Sequence, residues 1–440
     1  MKNKLKNLFP FLLLYLAAMV FFLSFLVASA AVPKTRSMHK NLRRSAELLY
    51  REGNYPLVGY VQLDNYTDAL ILNLAVCLDA GPSQLTSPFY GFNVPGEDKV
   101  GILRNLARTP ESPAELADYA RYWHGAAAFW RLVLHVLDLH HIRALLGSVM
   151  FGMAFLAFAL ILKRIDGWTA FCFLLILIFC NYYVFSISLQ FTPPMFLALL
   201  GTCLILWNPA AVLRNQFLIL FGIGLCCPYI DFLTAPLLSW GIPALVLFTL
   251  QDRQTALTQS QAVCISVGTA LVCGAGYVLS WGSKFLTAIV LLPGALQDIV
   301  TAIRQRASCP SPRPDYNRIS TLAENFRHLF LNNNRVVFIF AAAGIILLVL
   351  AAFILLIRKR AKLRLPTLTG YLIIALVPVA VTLLNANHSF YHCWFTYRNL
   401  AVTVGALFLL WRAVVFRREC LLPGSLKFVT ESKKEKNNAC

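Results

Sequence analysis

Uninterrupted apolar runs of about 17 to 25 residues recur along this chain, and no other feature constrains its fold as tightly. A run of that length crosses the hydrocarbon core of a bilayer as a helix, because a helix satisfies its own backbone polar groups where no water can. Ten spans are predicted, at residues 8–31, 143–162, 167–185, 189–207, 212–229, 232–250, 262–281, 335–357, 366–384 and 400–416. With 58% hydrophobic and 13% charged residues among 440, the expected fold is an all-α polytopic membrane protein, not a soluble domain. The first run is longer than the apolar core of a signal peptide, and "ASAAVPK" is a weak cleavage site, so residues 8–31 are expected to stay as an anchor.

Charge orients the spans. With Lys2, Lys4 and Lys6 in the cytoplasm, the inner connections become Lys163–Arg164, Arg214, Asp252–Arg253, the run "RKRAKLR" at 358–364 and the tail from Arg417. Nearly all are basic, as short cytoplasmic loops are. The net charge of +19 is therefore a topology signal. Nucleic acid is excluded as a partner, since that would need a basic face on a soluble module. The expected organisation is a cytoplasmic N-terminus with the first span (1–31), a long extracytoplasmic loop (32–142), a bundle of spans two to seven (143–281), a second outer loop (282–334), spans eight to ten (335–416) and a basic cytoplasmic tail (417–440). The host is the plasma (inner) membrane, with both termini inside.

The outer segments carry helical patterns of their own. Residues 112–143 begin with a capping box at Ser112, Pro113 and Glu115, and continue with Trp123, Trp130, Leu134 and Leu137 on one stripe, beside a polar face carrying Arg121, His124, Arg131, His135 and Asp138. Residues 39–52 and 321–331 repeat the pattern more weakly. All three are expected to lie in the interface and roof a cavity. The twelve cysteines include no C-x-x-C pair, and seven lie in or beside spans, so neither a zinc site nor a required disulfide is predicted.

Four clusters on the outer side are candidates for chemistry. Asp64 and Asp68 stand one helical turn apart ahead of an apolar run. They could merely cap and charge a helix N-terminus, yet two acids at i and i+4 also suit a divalent ion or a general base. "CCPYIDFLTAP" (226–236) puts Asp231 at the turn between two short spans, either as a simple polar turn or facing a watery cavity. "GYVLSWGSKFL" (276–286) places Lys284 at the outer end of a span, where snorkelling is its plain explanation. "NANHSFYHCWFTYRNL" (385–400) gathers His388, His392, Trp394, Tyr397 and Arg398. An interfacial aromatic belt accounts for Trp394 and Tyr397 but not for two histidines and an arginine on the side where topology needs no positive charge. "CNYYVFSISLQFTPP" (180–194) adds polar and aromatic groups to the same side, and His124 and Trp123 join them from the first loop.

This layout resembles the C-type (GT-C) superfamily of polyprenyl-phosphate-dependent glycosyltransferases: one anchor, a long first outer loop with acids and interfacial helices, then a bundle of spans. "YIDFLTAP", "SWGSKF" and "HSFYHCWFTYRNLAV" look like signatures of a bacterial multi-span group beside that superfamily. The resemblance implies transfer of a sugar from a polyprenyl-phosphate donor to a cell-envelope glycan acceptor on the extracytoplasmic face. It implies a catalytic acid in the first outer loop, which Asp64, Asp68 or Asp118 could supply, with a divalent metal at Asp64 and Asp68 if one is used. Asp64 lies farther from the first span than the family's acid does. Lys284 and Arg398 are the expected partners of the donor phosphate, and His124 and His392 the expected donors to phosphate or sugar hydroxyls. The alternatives are a transporter or flippase for lipid-linked sugars, a histidine-dependent acyltransferase, and an assembly protein. The absence of a repeated half argues against the first, and the outward position of the histidines against the second.

Overall fold

The computed structural model describes residues 2–109, 115–308, 317–331, 354 and 364–415. The chain forms helices α1 (Lys2–Ala31), α2 (Arg36–Glu52), α3 (Asn65–Val76), α4 (Ser87–Tyr90), α5 (Lys99–Arg108), α6 (Gly125–Val133), α7 (Leu139–Arg164), α8 (Gly167–Phe179) and α9 (Thr192–Trp207). It continues through α10 (Pro209–Ile230), α11 (Pro236–Thr255), α12 (Gln259–Leu291), α13 (Ala295–Ala307), α14 (Arg318–Leu331), α15 (Leu365–Leu384), α16 (Ala386–Tyr391), α17 (Cys393–Thr396) and α18 (Ala401–Val415). A two-residue hairpin, β1 (Leu57–Val58) with β2 (Val61–Gln62), is the one sheet among the described residues.

Five stretches are long and apolar enough to cross a membrane: Leu8–Ala31, Leu139–Arg164, Gln259–Leu291, Leu365–Leu384 and Cys393–Val414. Their outward surfaces are apolar, with Phe21 60%, Phe155 73% and Val278 67% exposed, as a lipid-facing surface requires. The protein is thus an all-α membrane-embedded chain. Gly167–Phe179, Thr192–Trp207 and Asn215–Ile230 are apolar but shorter. The span expected at 335–357 lies outside the described residues, apart from Ile354. The expected end of a span at 281 is corrected: α12 continues unbroken to Leu291 and carries Lys284 inside it. Where α10 and α12 cross they touch backbone to backbone. A Cβ on Gly224 would fall 2.1 Å from the Cys273 carbonyl oxygen, so only glycine permits this approach.

The connections sort cleanly to two ends. At one end, Asp166 is held by Arg253 and Arg412, and Asp252 by Arg364 and Thr367. At the other, Asp68 meets residues 188–190, Tyr183 donates to Val58, His388 meets Leu233, Asn181 donates to Tyr397, and Arg143 forks onto Glu52. The long first segment and the 385–400 turn are therefore on the same side of the bundle.

Within that segment, the interfacial helix expected over 112–143 is not formed. Ser112 and Pro113 lie outside the described residues, Glu115–His124 carry no helix, and only α6 and the start of α7 follow. The apolar stripe meets protein instead of lipid. The indole of Trp123 donates to the Ser280 carbonyl at 2.9 Å and packs edge-on to Phe22 and Tyr229. Residue Arg131, placed on the polar face, is fully buried. Its Nε donates to the Ser29 carbonyl at 3.0 Å, and its terminal nitrogens reach Ala75 and Val32 at 3.1 and 2.9 Å and the Asp79 carboxylate at 3.0 Å. It therefore caps the C-terminal ends of α1 and α3 together, where carbonyls lack helical partners. The helices expected at 39–52 and 321–331 are present as α2 and α14, both packed on protein along one face.

Because the two ends are distinct, cysteines at Leu85 and Ser260, tested one at a time in a background with Cys264, Cys309, Cys420 and Cys440 changed to Ser, should react with a membrane-impermeant maleimide from opposite sides of the membrane. Labelling of both from one side would contradict this arrangement.

Candidate functional site

At the end of the bundle that carries the long segment lies a cleft of about 1020 Å³. The start of α3 (Asp64, Tyr66, Thr67), the non-helical stretch 117–122 with Asp118, Arg121 and Tyr122, the end of α13 (Arg306) and α16 with the following His392 form its walls. Lys99 of α5 and Gln190 complete it.

Asp64 is the N-cap of α3. Its Oδ1 accepts the Thr67 N–H at 3.0 Å and its Oδ2 the Thr67 hydroxyl at 2.8 Å. The same residue is on the cleft wall, so capping and chemistry are not alternatives here. Burial, only partly offset by those hydrogen bonds, pushes its carboxyl up to about 7. A carboxyl so placed takes and releases a proton near neutral pH, as a general base must.

Asp68 behaves differently. It is fully buried, and its oxygens accept the Ser188 hydroxyl at 3.0 Å and the backbone N–H groups of Leu189 and Gln190 at 3.1 and 3.0 Å. Burial pushes its carboxyl up to about 6, against the pull of the Arg143 charge. Asp68 thus ties α3 to the turn before α9 and does not line the cleft. Because Asp64 lines the cleft and Asp68 does not, the two acids are not presented together as the paired ligand set for a divalent ion that their spacing suggested.

The cations are also redistributed. Lys284 is buried in α12 and donates to the Phe89 carbonyl at 2.6 Å, with the Trp123 ring 5.8 Å away. Arg398 is buried too. Its Nε donates to the Cys180 carbonyl at 3.2 Å, and its guanidinium lies 4.3 Å from the Phe191 ring centre and 4.9 Å from that of Tyr397. Neither reaches the cleft. Arg121 and Arg306 do, both beside Tyr122: their guanidinium carbons lie 5.6 and 5.5 Å from its ring centre, and Arg306 donates to its hydroxyl. Neither arginine has an ion-pair partner among the described residues, and Arg121 Nε is buried without a hydrogen bond.

His388 and His392 line the cleft one turn apart, their rings 4.8 Å apart. His388 Nε2 donates to the Leu233 carbonyl at 3.1 Å. Burial drives His388 down to about 3 and His392 down to about 4, so both are neutral near pH 7 and act as hydrogen-bonding groups. The other predicted residues lie off the cleft wall. Asp231 accepts the Thr234 N–H and closes the turn before α11, Trp394 packs edge-on to Tyr55, Tyr397 accepts from Asn181 at 2.7 Å, and buried His124 sits against Gly91, where a Cβ would lie 2.0 Å from its Nε2. Asp118 is on the cleft wall and exposed. Of the predicted set, the structure brings together Asp64, Asp118, His388 and His392. It adds Arg121, expected on the polar face of a helix, and Arg306. No family model, curated protein or solved structure matches the chain.

The two acids should separate under the same substitution. Asp64→Asn retains an effective cap and should leave stability within about 0.5 kcal/mol. Asp68→Asn aims an amide at donor N–H groups and should cost on the order of 2 kcal/mol or more. Thermal unfolding in detergent compares them, and equal losses would remove the distinction.

Proposed function

We propose that this protein is a membrane glycosyltransferase of the GT-C type, acting in the cleft on the extracytoplasmic face of the plasma membrane. The observation that carries this reading is a single cleft combining a neutral-range carboxyl, Asp64, with two arginines beside one tyrosine ring. On this reading the chain has ten spans, with the long segment and the 385–400 turn outside and both termini in the cytoplasm. The donor is a polyprenyl-phosphate-linked sugar and the acceptor an envelope glycan.

The chemistry then balances within the cleft. An acceptor hydroxyl loses its proton to the Asp64 carboxylate as its oxygen bonds to the anomeric carbon of the donor. The bond from that carbon to the phosphate oxygen breaks, and the polyprenyl phosphate leaves with the electron pair. Arg121 and Arg306, both beside Tyr122 on the cleft wall, receive the negative charge that grows on it. Neutral His388 and His392 offer hydrogen bonds to sugar hydroxyls. No resident metal is required by this scheme.

Two measurements test it. Asp64→Asn should lower sugar transfer by about 10² to 10⁴. In the parent, the rate should rise with pH through about 7, because a base with a raised pKa is competent only above it. A parent profile flat from pH 5 to 8 would remove Asp64 from the role. Arg121→Ala and Arg306→Ala should each weaken donor use about ten- to a hundredfold, the equivalent of roughly 1.5–3 kcal/mol, while acceptor KM stays unchanged. Lipid-linked sugar crossing the membrane in the purified protein, with no transfer, would instead make the chain a flippase.

A further inference from the structure

We propose that Glu324, His328 and Cys393 form a binding site for a thiophilic divalent ion of the zinc kind, outside the cleft and independent of the reaction assigned to it. One ligand atom from each residue lies within 4.8 Å of the others. Glu324 and His328 are four residues apart on α14 and so share one face, with His328 Nε2 3.5 Å from a Glu324 oxygen. Cys393 opens α17 opposite them.

The scaffold under these three groups is fixed. Buried Asn325, between the two α14 ligands, donates to the Ser389 carbonyl at 2.8 Å and accepts the Thr396 hydroxyl at 2.8 Å. Helix α14 is thereby clamped to the turn that supplies the cysteine, and the ligand atoms approach one another without rearrangement of the backbone. A thiolate, an imidazole and one carboxylate together favour a borderline-soft ion over magnesium or calcium, which take oxygen ligands. Charge agrees with this choice. A dication with one thiolate, one carboxylate and a neutral imidazole is neutral as a cluster, which suits groups that are only partly exposed. The Cys393 thiol gives up its proton to solvent as the ion binds. Three protein ligands leave a fourth position for water.

Without an ion, Arg327 forks onto Glu324, and its side chain is 51% exposed. It competes for that carboxylate and can turn outward into solvent. The bound ion would fasten α14 to the head of the last span, directly beside the turn carrying His388 and His392.

The test uses the full chain in detergent, stripped with a chelator and titrated with Co²⁺ alone. One equivalent should bind, with tetrahedral visible absorption and a near-ultraviolet thiolate-to-cobalt band that Zn²⁺ abolishes. Cys393→Ser should lose that band, and His328→Ala should weaken binding at least tenfold. Arg327→Ala, which removes only the competitor, should tighten binding. No cobalt band in the parent overturns the site, as does a band that survives Cys393→Ser. Should Cys393→Ser fail to fold, Glu324→Gln and Arg327→Ala decide: unchanged affinity in both overturns it.

Discussion

The buried guanidinium of Arg131 sets the geometry of the first third of the chain. Its N–H donors meet the last carbonyls of α1 and of α3 and the carboxylate of Asp79, which Lys34 also holds. Helix ends expose carbonyls that need partners, and next to a membrane water is a poor supplier of them. A planar fork with five donors can serve two helix ends at once, which an ammonium cannot. Asp68 performs the complementary service at the opposite end of α3, accepting the N–H groups of the turn before α9. A helix of twelve residues, marginal on its own, is thus fastened at both ends by charge-assisted hydrogen bonds. That is what holds its cap residue, Asp64, on the wall of the cleft.

The distribution of cations follows the same logic of burial. Lys284 and Arg398 stand at sequence positions where the expected topology gives no reason for charge, and the fold buries both. Lys284 meets a backbone carbonyl at the end of α4, and Arg398 lies among Phe185, Phe191 and Tyr397, where ring faces replace part of the lost hydration. Lys284 is committed to that carbonyl, whereas both terminal nitrogens of Arg398 are buried without a hydrogen bond, and neither residue is on the cleft wall. Arg121 and Arg306 keep their charge uncommitted beside tyrosine rings, which leaves them available to an anion.

Much of the frame was legible in the sequence because hydrophobic run length is a local property. The ends of α1, α7 and α15 fall within a few residues of the apolar runs that predicted them. What the runs could not reveal was the identity of the apolar neighbour. The stripe through Trp123 and Trp130 is the same whether it faces lipid or protein, and only the contact of Trp123 with Ser280, far along the chain, decides between them. The acids were legible as a pair but not as individuals, since spacing cannot tell that Asp68 would be saturated by residues 188–190. Arg121 beside Arg306, and Cys393 beside Glu324 and His328, are juxtapositions made wholly by tertiary folding. No local pattern announces them.

Asp64 holds its helix with the same oxygens that would receive a proton. Protonation and helix integrity are therefore one linked equilibrium observed from two sides. The ionised carboxylate is the stronger acceptor for the Thr67 N–H and the better partner for the positive end of α3. Each protonation slackens the first turn, and each release rewinds it. By reciprocity, anything that steadies that turn from a distance, such as the anchorage of α3 at its other end, lowers the proton affinity of Asp64 without touching it.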